Sequence, residues 1–284
     1  MRVSAGRRAG RLIGCLCALG ASASLLLFAA GTAGSTDRSG SVLAAGRGMA
    51  IEQPAPAATA GKGPAAGTGQ SFGGVPAVGA LFTESDGKLG AHFCTASVVD
   101  SKAGDLAVTA AHCVYGRNQT MVFVPGYADG RTPYGVWAVT RVYTDDDWDA
   151  GQDPDHDVAF LRLSDAPDGA PIEDVTGAEA LAVNAPAGQS VQVIGYPDSG
   201  SLPLWCSGPA RGFSATQLEF DCGGYTVGTS GGPFLADVDS ATGQGTVIGV
   251  IGGYQQGGDT PQVSYAAVFG SGVAQLYATA EAGG

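Results

Sequence analysis

Residues Gly228 to Pro233 read G-T-S-G-G-P and run into Phe234 and Leu235, which suit a strand. A serine that attacks a carbonyl needs an exposed hydroxyl and backbone N–H groups aimed at the oxygen that becomes charged. Flanking glycines allow both, because a backbone without Cβ bends further and lets a substrate come close. In a chain with 47 glycines the same letters also arise by accident, so the histidines decide. His92, His112 and His156 all precede Ser230. A strand–turn–helix nucleophile elbow, whose histidine follows its serine, is excluded by that order. What remains is His, then Asp, then Ser, with T-A-A-H-C (Thr109 to Cys113) and H-D-V-A-F-L-R-L (His156 to Leu163) upstream.

T-A-A-H-C, D-V-A-F-L and G-T-S-G-G-P, in that order, resemble the trypsin-like (chymotrypsin-fold) serine peptidases, and secreted bacterial members most. The resemblance runs from about Phe72 to the C-terminus. It implies an all-β fold of two six-stranded Greek-key barrels, about 72–175 and about 176–284, with the active site in the cleft between them. It also implies a catalytic His112, Asp157 and Ser230, and an oxyanion hole formed by the N–H groups of Gly228 and Ser230.

The ends are read separately. Arg2, Arg7, Arg8 and Arg11 precede an uncharged run from Leu12 to Ala30 and the small residues Gly31, Thr32 and Ala33. That pattern is a secretory signal peptide over 1–33; an uncleaved anchor helix is the alternative. Residues 34–71 are Ala, Gly, Pro, Ser and Thr with few bulky apolar groups, a composition that cannot bury enough surface to fold. They read as a disordered propeptide or linker before a peptidase domain at 72–284. The expected location is extracellular, with membrane contact only through the signal peptide.

Seven of the 14 basic residues but only Asp37 and Glu52 among the 26 acidic ones precede residue 71, leaving the remainder at net −17. Such a surface repels nucleic acid and anionic membranes. The partners expected are protein or peptide substrates of a monomer, with no cofactor. Cys15 and Cys17 leave with the signal peptide, so Cys94, Cys113, Cys206 and Cys222 meet an oxidising compartment. Four cysteines allow three pairings. The resemblance implies Cys94 with Cys113 and Cys206 with Cys222, each worth about 3 kcal/mol in the chain-entropy picture. No C-x-x-C spacing supports a metal site instead.

Short β-branched and apolar runs recur along the rest. Val75–Phe82, His92–Val99, Leu106–Thr109, Met121–Val124, Val136–Tyr143 and Val158–Leu163 form one series. Val191–Tyr196, Leu202–Cys206, Gln217–Asp221, Pro233–Ala236, Thr246–Ile251 and Val263–Val268 form another. Residues 164–188 read as a crossover between them, and Val273, Leu276, Tyr277 and Ala280 have the spacing of a short packed helix.

By the resemblance, Gly224, Tyr225, Gly252, Tyr254 and Val263 would line the substrate pocket and favour a small or apolar side chain. Gly224 brings no counter-charge for a basic residue, and Ile251 stands about where glutamate-specific relatives carry a histidine. Thr229 replaces the Asp with which animal relatives pair the ammonium freed on zymogen cleavage, so the site is expected to be preformed. His92 is expected to pack, and His156 to face solvent. The acidic run Asp145, Asp146, Asp147, Asp149, Asp153 and Asp155 reads as a solvated loop, with calcium as the rival occupant. The function expected is secreted serine endopeptidase. A catalytically silent binding protein on the same fold, or an esterase or acyl transferase using the same triad, are the alternatives.

Overall fold

The computed structural model describes residues 67–283. The signal-peptide reading and most of the propeptide reading lie outside the described residues. The chain enters through two very short strands, β1 (Gly67–Thr68) and β2 (Gln70–Ser71).

Six antiparallel strands follow: β3 (Val78–Ser85), β4 (Lys88–Val99), β5 (Leu106–Thr109), β6 (Met121–Pro125), β7 (Trp137–Tyr143) and β8 (Ala159–Leu163). They close into a barrel in the order β3-β4-β5-β8-β7-β6. Closure suits these residues because Leu81, Val98, Val108, Phe123 and Leu161 are fully buried and no edge is left to cover. Each such side chain withdrawn from water contributes about 2 kcal/mol. Three short helices interrupt the strands: α1 (Ala111–Val114), α2 (Asp146–Gly151) and α3 (Ile172–Thr176).

The remaining strands are β9 (Ala180–Leu181), β10 (Ser190–Gly195), β11 (Leu204–Pro209), β12 (Arg211–Gly212), β13 (Gln217–Gly223), β14 (Pro233–Ala236), β15 (Thr246–Val250) and β16 (Val263–Ala267). Their hydrogen bonds form a six-stranded sheet, β2-β11-β10-β14-β15-β9, and a four-stranded sheet in which β1, β12 and β16 pair with β13. A second barrel closed like the first is therefore not what the ladders describe. The reason lies in the entering segment: β1 pairs with β13 while β2 pairs with β11, so residues 67–71 stand between the two sheets. The Cys206–Cys222 disulfide joins β11 to β13 at the same place. The folded part thus begins at least five residues before Phe72. Backbone pairing orders a stretch whose side chains bury little.

The apolar core is continuous across the halves, since Ile194, Leu235, Val247 and Phe269 pack into the cluster built on the first barrel. Helix α4 (Ser271–Ala282) returns to that barrel, burying Val273, Leu276 and Ala280 and setting Tyr277 against Phe160 at 5.5 Å between ring centroids. Buried Glu179 stitches the seam. Its backbone bonds to Val98 and Asp100 of the first half, and one carboxylate oxygen accepts the Gly245 N–H of the second. The other oxygen has no partner, and burial pushes the carboxyl up to about 7.

Candidate active site

His112 lies in the first turn after β5, on α1, whose N-terminus has no side-chain cap of its own. Asp157 supplies one from 45 residues away, its Oδ1 accepting the His112 N–H at 2.8 Å. Asp157 Oδ2 accepts from His112 Nδ1 at 2.7 Å and from the Gly253 N–H at 2.8 Å. A carboxylate with 1% exposure is costly to bury unless its lone pairs are used. Three donors meet that condition here, and they hold the imidazole with Nδ1 toward Asp157 and Nε2 as the remaining nitrogen. Gly252 belongs to this arrangement: a Cβ there would lie 2.9 Å from Asp157 Oδ2.

Ser230 sits in a turn held on both sides. Its carbonyl accepts the Thr95 N–H at 2.7 Å, and the next residue, Gly231, donates to Ile251 O at 2.7 Å. The Thr95 hydroxyl in turn donates to Gly228 O at 3.0 Å. Gly228 adopts φ +94°, and a Cβ there would fall 2.5 Å from Tyr196 O and 2.6 Å from Asp198 N, so only glycine keeps this path. The N–H groups of Gly228 and Ser230 donate to no acceptor among the described residues. Two unspent donors beside a serine hydroxyl are what a developing oxyanion requires. Ser230 and His112 line one cleft of about 490 Å³. Among the described residues no hydrogen bond joins the serine hydroxyl to the imidazole, as is common before substrate is bound.

The disulfides form as the resemblance implied, Cys94–Cys113 beside His112 and Cys206–Cys222 between the sheets. The residues expected to line the substrate pocket fall in different places. Of its five expected residues only Tyr225 lines the cleft, with its hydroxyl spent on Val193 O at 2.7 Å. Gly224 borders a separate depression with Leu204 and Leu202. Gly252 backs Asp157 instead. Tyr254 points outward, 40% exposed, and packs on Phe213 and Tyr265. Val263 misses by one residue: successive strand residues face opposite ways, and it is Ser264 that lines the cleft. Ile251 does line it, together with the loop 255–261, where Gln255 and Gln256 hold φ values of +53° and +51°.

Two further residues carry no motif that marks them. Gln217, 4% exposed, donates to Pro154 O at 3.1 Å and Asp155 Oδ1 at 2.6 Å, and accepts the Tyr254 N–H at 3.0 Å. It ties the turn carrying Asp157 to the loop lining the cleft. Arg117 lines the cleft too, with its guanidinium 3.7 Å from the Phe93 ring centroid.

His92 packs as expected, its Nε2 2.9 Å from Pro197 O and its ring near Phe82 and Tyr127. His156 is half-buried rather than solvent-facing, because Asp145 lies 3.0 Å and Asp147 3.6 Å from its two ring nitrogens. Those three side chains could hold a metal ion, their ligand atoms lying within 4.8 Å of one another. The cysteines near His112 could not, being joined in a disulfide. Most of the acidic run is used locally. Asp145 caps α2, Asp153 caps the turn at Pro154–His156, and Asp155 accepts from Gln217. The Thr229 hydroxyl donates to Thr226 O at 2.7 Å.

Solved structures similar to the chain include the protease Anisep from Arthrobacter nicotinovorans, at 27% identity over 76% of this chain and 100% of that one, with a TM-score of 0.65. The thermostable serine protease AL20 from an extremophilic microorganism is 28% identical over 74% of this chain and 98% of that one, with a TM-score of 0.63. A Glu endopeptidase in complex with MPD, at 16% identity and a TM-score of 0.59 over 76% of this chain and 97% of that one, shares the fold alone. No curated protein matches. The family model for the trypsin-like peptidase domain matches residues 94–268, more than half of the sequence, and the chain belongs to that family.

Proposed function

We propose that the chain is a secreted serine endopeptidase in which Ser230, His112 and Asp157 cleave peptide bonds through an acyl-enzyme. The observation that carries this reading is the buried Asp157, which accepts both the His112 N–H and the His112 Nδ1 proton while that imidazole lines the same cleft as Ser230. Membership of a peptidase family supports it.

In this mechanism the Ser230 hydroxyl attacks the carbonyl carbon as His112 Nε2 takes its proton, general-base help worth about 10²- to 10⁴-fold. Asp157 keeps the ring in the tautomer that leaves Nε2 basic and stabilises the imidazolium that forms. Negative charge gathers on the carbonyl oxygen, where the Gly228 and Ser230 N–H groups meet it. Losing one such donor costs on the order of 10²-fold or more in kcat. Collapse of the intermediate expels the amine, which takes the proton from His112. Water then repeats the sequence on the ester.

Tyr225, Ile251 and Ser264 form the wall against which a small or apolar side chain before the cut would lie. We read the second half as the other barrel of the fold, completed by residues 67–71, and the cleft as lying between the two. Thr229 satisfies its hydroxyl within its own loop, so the nucleophile turn waits for no liberated ammonium.

The test is digestion of a mixed peptide library by protein that retains β1 and β2, beside a Ser230→Ala control, with cut sites read by mass spectrometry. Cleavage after small or apolar residues is expected, falling about 10⁴-fold or more in the control. Equal cleavage by both proteins would remove Ser230 from the chemistry.

A further inference from the structure

Among the seven basic residues that follow residue 71, Lys102, Arg162 and Arg211 pair with carboxylates. Arg117 is the one that lines the cleft. Its Nε donates to the Cys113 carbonyl and its plane lies on Phe93, while its terminal nitrogens meet no acceptor among the described residues. Burial pulls its pKa down, the mark of a cation held partly out of water without a counter-charge. A guanidinium so placed offers a planar fork of N–H donors that matches a carboxylate.

The position of the fork decides which part of a substrate it meets. Arg117 is anchored on Cys113, the residue after His112, and His112 is the group that protonates the departing amine. Tyr225, Ile251, Ser264 and the loop 255–261, including Asp259, form the part of the cleft assigned to the side chain before the cut. Building on the peptidase reading, we propose that Arg117 selects substrates with an acidic side chain among the first three residues after the scissile bond. Elsewhere the domain is strongly acidic and repels such peptides at long range. Their recognition therefore rests on this one contact, and the natural substrate carries an acidic residue just past its cut site.

Internally quenched peptides identical before the cut, with Glu, Gln or Lys at each of the first three positions after it, test this in the wild type and in Arg117→Gln, Arg117→Lys and Arg117→Glu. The expected result is a kcat/KM about tenfold higher for Glu than for Gln at one position, equivalent to one close charge pair. The preference should vanish in Arg117→Gln, persist in part in Arg117→Lys and turn toward Lys in Arg117→Glu. No Glu preference in the wild type, a preference only before the cut, or one that survives Arg117→Gln would overturn the proposal. Cleavage of the Gln peptides reports on the peptidase reading separately. Binding needs no turnover: calorimetry on the Ser230→Ala protein with the amine-side peptides should rank Glu above Gln above Lys, and equal binding would also overturn it.

Discussion

The two halves differ in how they are closed and in what they carry. The first half is a barrel sealed by its own ladders, and it contributes His112 and Asp157, whose hydrogen bonds are all specified. The second half is two sheets held by a disulfide and by an inserted segment from the start of the domain. It contributes Ser230, and also the loop 255–261 with two non-glycine residues at positive φ. In the proposed mechanism proton transfer tolerates little displacement, and three hydrogen bonds fix this pair, one of them from Gly253 of the second half. The cleft-lining loop of the second half bends without glycine at Gln255 and Gln256, a backbone that its surroundings must hold in place.

The sharpest way to break this contrast is to disturb the first half's pair without changing its shape. Asp157→Asn places an amide where three N–H donors converge, so an NH₂ group must face one of them. The ring then turns or takes the other tautomer. A fall in kcat/KM of about 10⁴-fold is expected, with the fold retained by circular dichroism. A fall below tenfold would mean that Asp157 only anchors the backbone of His112 and Gly253.

A second test probes the seam. Burial raises the Glu179 carboxyl from 4.5 to about 7. The protonated form is the one the fold accommodates, so its contribution is complete below pH 4.5, declines as pH rises, and is gone above about 7. The shift corresponds to about 3 kcal/mol. Glu179→Gln still accepts the Gly245 N–H but does not titrate. It leaves one amide group unpartnered, a penalty that is the same at every pH. Urea unfolding at pH 4.5 and pH 8 should show the wild type losing about 3 kcal/mol more than the variant across that interval. Parallel losses in the two proteins would place the charge elsewhere.

The two halves were also unequally legible. Each long strand announced itself, because β-branched residues between turn formers have few other uses; Leu106–Thr109 and Pro233–Ala236 match the structure end to end. Helix α4 did so too, through its apolar spacing. His112, Asp157 and Ser230 each lie in a motif, and the fold brings the first two into hydrogen-bond contact and the third into the same cleft. What escaped depends on backbone or on facing. Residues 67–71 pair through N–H and C=O groups that every residue carries, so Gly, Thr, Gln and Ser gave no sign of strands. Ser264 rather than Val263 lines the cleft, a facing that differs by one residue along the strand. Glu179 and Arg117 lie in stretches without pattern, and only the tertiary fold brings them to the seam and the cleft.

Gln217 is the smallest and most discriminating probe of the contrast, because it joins the rigid pair to the adaptable wall. Its carboxamide spans from Pro154 and Asp155, just before Asp157, to Tyr254, just after the Gly253 that bonds Asp157. Gly253 holds φ +73°, a conformation that favours glycine, and a Cβ there would also press on Gln217 Oε1. Gln217→Met keeps length and burial while leaving the Tyr254 N–H and two oxygens without partners, a loss of about 2 kcal/mol in stability. If the bridge mainly orients Asp157, kcat should fall about tenfold with KM nearly unchanged, because Asp157 acts most strongly in the transition state. If it mainly supports the wall, KM should rise and the preference before the cut should broaden, with kcat preserved. Two of the three carboxamide hydrogen bonds end on Pro154 and Asp155, beside Asp157, and the third ends on Tyr254, the residue before the cleft-lining loop 255–261. That imbalance makes the kcat effect the expected one, and a pure KM effect would show that the second half adapts independently of the first.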